Sequence, residues 1–170
     1  MRRALAAALT AAVLLAGCGG GGGSDTPKVV TKALYIAQAD EVCAGLSERF
    51  NSAGASNPTT PKEIVDSANV LADLYGDLRD GLKKLKLPSR APDRVGAQLY
   101  VTSVNSTNAL LGQLRSSAKS FEGAVKAKNA RKIESTGNDV RSALDAFRAA
   151  QAQANTRAIA YGFNLCGNLN

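Results

Sequence analysis

Residues 60–85 constrain this chain more than any other stretch. Ile64, Ala68, Leu71, Tyr75, Leu78, Leu82 and Leu85 step by four and three in alternation. Successive apolar residues at that spacing form one stripe along a helix. The stretch opens on Thr60-Pro61-Lys62-Glu63. A threonine cap, a proline at the first helical position and a glutamate three residues past the cap make a capping box, a specific helix start. The stripe stops at Leu87-Pro88, because proline cannot continue the hydrogen-bond ladder. A stripe this long must be covered by other apolar faces.

Three further segments have the same periodicity. Helix one is expected over residues 27–50, with Ile36, Ala39, Cys43, Leu46 and Phe50 on one face, followed by turn composition at residues 51–57. Helix three starts near Ala91 or Pro92, and its seam is Ala97, Tyr100, Val104, Thr107, Leu111, Leu114, Ala118, Phe121 and Val125. Helix four starts near Asn129, a fair N-cap. Val140, Leu144, Phe147, Ala154, Ala158, Tyr161 and Leu165 line it, and Gly137 is expected to bend it or delay its start. No segment sustains a period of two. The expected class is all-α, an antiparallel up-down-up-down four-helix bundle with helices three and four longer. Short, well-marked turns favour folding back within one chain over a multi-chain coiled coil.

The start of the chain differs in kind. Arg2 and Arg3 precede a small and apolar run over residues 4–16, broken only by Thr10. That run suits a signal-peptide core and falls short of the roughly 20 residues a spanning helix needs. It ends in Leu15-Ala16-Gly17-Cys18, which resembles a bacterial lipobox. The resemblance covers only these first residues. It implies a signal peptide over residues 1–17, cleavage before Cys18, and a diacylglycerol with palmitate-class chains on the Cys18 thiol. Residues 18–26 then read as an acylated tether. The five glycines at 19–23 would lose much backbone entropy on ordering. Residues 27–170 are left for the bundle, about 150 residues in the mature chain, enough for one domain with a real core. The anchor implies the bacterial cell envelope, outside the cytoplasmic membrane.

The chain has three cysteines. With Cys18 acylated, Cys43 and Cys166 remain as an even pair in an oxidising compartment, where a disulfide is expected. The heights conflict, however. Cys43 lies some 15 Å below the top of helix one, whereas Cys166 would lie roughly 55 Å down a continuous helix four. Either helices three and four project beyond the first hairpin, or helix four breaks near Gly137.

Little in the sequence carries chemistry. There is no histidine, which removes the commonest general base and a common metal ligand. Asp66, Asp73, Asp77 and Asp80 share one side of helix two, but a di-metal bundle site takes carboxylates from several helices. They read as a solvated face, with Asp80 able to pair with Lys84 one turn on. No catalytic residue, metal or cofactor is expected. Thr107, Gln151 and Asn155 form a candidate polar layer fixing register, or else a ligand pocket. Basic residues gather at the turns: Lys83, Lys84, Lys86, Arg90 and Arg94 at the second, and Lys126, Lys128, Arg131 and Lys132 at the third. Helix dipoles favour the lysines at helix ends but not Arg90, Arg94, Arg131 or Lys132 near helix starts. Nucleic acid is a poor fit, since no aromatics interleave these charges.

The chain therefore reads as a non-enzymatic lipoprotein that presents helix faces or basic ends to a protein partner, an anionic lipid or a wall polymer. The alternative is a small-molecule or lipid carrier using the polar mid-core. Since helix one begins at the tether and helix two returns to that end, the second turn should lie there, with its basic cluster beside Lys28 and Lys32.

Overall fold

The computed structural model describes residues 29–52 and 58–168. The lipobox, the glycine tether, Lys28 and the expected start of helix one at Pro27 lie outside them, as does most of the expected turn at 51–57. Four helices follow in order: α1 (Lys32–Ser52), α2 (Pro61–Lys84), α3 (Ala91–Lys126) and α4 (Ala130–Tyr161). A short 3-10 turn, Cys166–Asn168, comes after α4, and no strand occurs among the described residues. The fold is an antiparallel up-down-up-down four-helix bundle in which α3 and α4 are longest, at 36 and 32 residues.

Local chemistry sets the helix limits. At α1, the Thr31 hydroxyl accepts from the Leu34 N–H at 3.2 Å. The capping box of α2 forms: Thr60 Oγ1 accepts from the Glu63 N–H, and Glu63 Oε2 accepts from the N–H groups of Thr59 and Thr60. Those bonds, the Thr59 backbone first, hold the Glu63 carboxyl below the usual carboxylate range. α2 stops at Lys84 rather than at Leu87, and Leu85 is already extended. Asn129 caps α4 by accepting from the Lys132 N–H at 3.1 Å. Just before it, Lys128 adopts a positive φ of 51°, with the Lys128 and Asn129 N–H groups donating to the carbonyls of Val125 and Ala124. That pairing is a Schellman turn with a lysine where glycine is usual.

α3 packs along α2 on one side and along α4 on the other. α1 leans on α2 at Gly81, where a side chain would place a Cβ 2.7 Å from Val42. Most seam residues are buried, including Ala39, Cys43, Leu78, Leu82, Tyr100, Val104, Leu111, Ala118 and Ala158. Ile36, Phe50, Ile64, Leu71, Leu85, Phe121, Val125, Val140 and Leu144 sit at the margin, half-buried. Tyr35, fully buried, takes the place expected of Ile36 on α1.

The largest departure is at the end of α4. The helix runs unbroken past Gly137, which faces the Phe121 ring. It ends at Tyr161, because Gly162 takes φ 105° and reverses the chain. The Gly162 and Phe163 N–H groups donate to the Ile159 and Ala158 carbonyls, a second Schellman turn. Leu165 is therefore not on a helix seam, and it is 49% exposed. Cys166 does not lie far down a continuous helix either. The chain hooks back, Phe163 enters the core, and Cys166 meets Cys43 in a disulfide with Cα atoms 5.2 Å apart. The conflict in height is resolved as the first alternative expects, by α3 and α4 outrunning the 21- and 24-residue helices of the first hairpin, with the hook added and no break near Gly137.

Candidate functional site

The end of the bundle where α1 begins is the candidate surface. The Ser89 N–H donates to the Val30 carbonyl at 2.9 Å, so the chain entering α1 is fastened to the turn between α2 and α3. The sequence-predicted cluster of Lys83, Lys84, Lys86, Arg90 and Arg94 therefore lies at the same end of the bundle as Lys32, and all five of its members are exposed. Two of them also hold the turn together. Arg94 donates from Nε to the Pro88 carbonyl and from Nη2 to the Ser89 carbonyl, at 3.2 and 2.7 Å. Arg90 lies 3.6 Å from the Asp93 carboxylate. These contacts account for two arginines that the helix dipole disfavours. Lys32 lies over the Tyr161 ring, 4.6 Å from its centroid, an attraction between cation and ring face.

The acidic side of α2 is occupied by ion pairs. Lys62 pairs with Asp66, Arg49 with Asp77, and Arg79 with Asp80. Asp80 is spaced to pair with Lys84 one turn on. It takes two hydrogen bonds from its neighbour Arg79 instead, and these hold its carboxyl below the usual range, with a smaller contribution from Lys83 and Lys84. Among the described residues, no three cysteine, aspartate or glutamate side chains are grouped to hold a metal ion. A cleft of about 410 Å³ opens between α2 and α3, lined by Asp73, Gly76, Asp77, Asn108, Gly112 and Arg115 among others.

None of Thr107, Gln151 and Asn155 lines that cleft. Thr107 is fully buried, and its hydroxyl donates to the Ser103 carbonyl of its own helix at 3.0 Å. Gln151 hydrogen-bonds the Tyr75 hydroxyl, linking α4 to α2, while burial pushes Tyr75 up to about 12. Asn155 is half-buried one turn further along α4. At the far end of the bundle, Lys126 pairs with Glu122 at 2.7 Å, and Lys128, Arg131 and Lys132 are exposed.

Sequence reasoning missed Asp40. Its carboxylate is buried and accepts from the N–H groups of Asn164, Leu165 and Cys166, at 3.0, 2.9 and 3.2 Å. It is the binding point for the hook. Gly162, Asn164 and Gly167, crowded after Tyr161, were the available signal that the helix ends there.

No helix among the described residues is long and apolar enough to cross a membrane. No family model, curated protein or solved structure matches the chain.

Proposed function

We propose that the protein is a lipoprotein of the bacterial cell envelope, outside the cytoplasmic membrane, anchored through acylated Cys18 and acting as a non-enzymatic interaction or structural module. The observation that carries this reading is where the chain joins the bundle. Val30, twelve residues after Cys18, is bonded to Ser89 in the middle of the basic second turn. An anchor at Cys18 would hold the basic end towards the membrane. There Lys83, Lys84, Lys86, Arg90 and Arg94 face anionic lipid headgroups, an acidic wall polymer or a protein partner. The buried Cys43–Cys166 disulfide supports an oxidising compartment. A carrier using Thr107, Gln151 and Asn155 has less support, since the Thr107 hydroxyl is committed to its own helix.

The test is intact mass and detergent partition of the protein from a bacterial host, wild type against Cys18→Ala. Wild type should carry the mass of a diacylglycerol and partition with detergent. Cys18→Ala should lack that mass and be released or left unprocessed. An unmodified wild-type Cys18 thiol sinks the anchor. A small molecule retained in native mass spectra would favour the carrier.

A further inference from the structure

The large apolar side chains that stay in solvent are not scattered over the bundle. Val29, Leu34, Val95, Leu99, Ile159 and Leu165 are exposed, and every one lies at the end where α1 begins. Val29 and Leu34 belong to the start of α1 and the chain before it. Val95 and Leu99 belong to the opening turns of α3, Ile159 to the last turn of α4, and Leu165 to the hook. Val70 is the other large apolar side chain exposed among the described residues, and it lies well away on α2. The far end offers a comparison. It is basic too, with Lys128, Arg131 and Lys132 exposed, but its large apolar residues Val125 and Ile133 are half-buried. A need for solubility would treat both ends alike.

We infer that the basic end docks into the interfacial layer of an anionic bilayer, its lysines and arginines on headgroups and its exposed aliphatic side chains among the upper acyl segments. The inference rests on the reading of this end as membrane-facing and names its partner. A wall polyanion would reward the charges and leave the aliphatic groups in water. A bilayer interface rewards both, since burial of apolar area adds to attraction by anionic lipid. Chain length is compatible. Cys18 is eleven residues before Val29, and a chain of that length spans at most about 40 Å. An anchor in the membrane would therefore keep this end within reach of the surface.

The test uses the oxidised chain from Gly19 onward, which keeps every core residue, since these run from Val30 to Cys166. The protein has no tryptophan, so one introduced tryptophan reports its own surroundings. Leu99→Trp and Val95→Trp place it at the basic end, and Val70→Trp is the control. Each variant is first shown to keep its helical circular dichroism. With phosphatidylglycerol–phosphatidylcholine vesicles, the two end variants should shift to the blue and be quenched by brominated acyl chains, while the control does neither. Binding should fall at least tenfold from about 0.05 to about 0.5 M salt, where the Debye length shortens several-fold. The combined reversal Lys84→Glu, Lys86→Glu and Arg90→Glu should weaken binding by at least as much. Three results would overturn the inference: binding without quenching at positions 95 and 99, equal binding to pure phosphatidylcholine, or tighter capture by soluble polyglycerol phosphate than by anionic vesicles. Absence of binding at low salt would do the same. Because this chain lacks Cys18, the outcome is independent of lipidation. An unmodified Cys18 would remove the anchor and leave the vesicle result standing.

Discussion

Asp40 shows how much one side chain can organise from across the chain. Its carboxylate accepts three successive backbone N–H groups of the hook. Bonds to an ionised acceptor are stronger than neutral ones, and their loss leaves buried donors without partners. Asp40→Ala should destabilise the oxidised protein by about 2–4 kcal/mol, and Asp40→Asn by about half as much, read from urea midpoints. Equal stability of Asp40→Ala and wild type would show that the hook does not depend on this carboxylate. Nothing near position 40 announces the role, because its partners lie more than 120 residues away. The tyrosines make a second statement at this scale. Burial pushes Tyr35 and Tyr75 up to about 12 from an ordinary 10.0 and raises Tyr100 and Tyr161 as well. These are all the tyrosines in the chain. The unfolded chain releases its phenolic protons first, so their contribution to stability is fully present below pH 10 and is lost as pH rises towards 12. Tyr35 and Tyr75 each remove about 1.4 kcal/mol per pH unit in that window. The tyrosinate absorbance of Tyr35, Tyr75 and Tyr100 at 295 nm should be missing near pH 10 in the folded protein and rise only later, with unfolding. A reversible midpoint near 10 that accounts for more than one tyrosine in folded material would contradict the burial of these three rings.

At the scale of elements, starts were easier to read than stops. The α2 start was written in four adjacent residues, and the box they form is present. Asn129 likewise caps α4. The end of α4 was misread, because the step of four from Tyr161 to Leu165 continues the apolar pattern past a glycine. The backbone decided otherwise: Gly162 adopts a left-handed conformation that ends the helix. At φ 105° any other residue is strained, so Gly162→Ala should cost about 1 kcal/mol or more. The turn between α3 and α4 gives the opposite expectation. Lys128 holds φ 51° with a side chain in place, and it is exposed. Lys128→Gly should raise stability by roughly 0.5–1 kcal/mol. Thermal unfolding of the two variants side by side should move Tm in opposite directions. A fall in both would mean that the Lys128 side chain holds the turn in a way its conformation does not reveal.

For the whole molecule, the disulfide ties the first helix to the last part of the described chain across a sequence separation of 123. Its loop-closure entropy is about 4–5 kcal/mol, less any native strain. The double variant Cys43→Ala, Cys166→Ala should therefore unfold at a much lower denaturant concentration, and peptide mapping of unreduced wild type should find the linked pair. Two free, alkylatable thiols in native protein would contradict the bond. The class of fold was legible because long periodic seams permit few other solutions. The arrangement of α1 was not. It depends on the hook, and the hook depends on Asp40, Phe163 and a pairing of distant cysteines that no local pattern encodes. The same bond gives the molecule a mechanical property. Tension that enters at Val29 can peel α1 only as far as Cys43, fourteen residues on. Beyond that point the load crosses to Cys166 through sulfur and leaves by the C-terminal side. α2, α3 and α4 are then slack under the pull, so stretching the oxidised protein should release no length from the residues between Cys43 and Cys166.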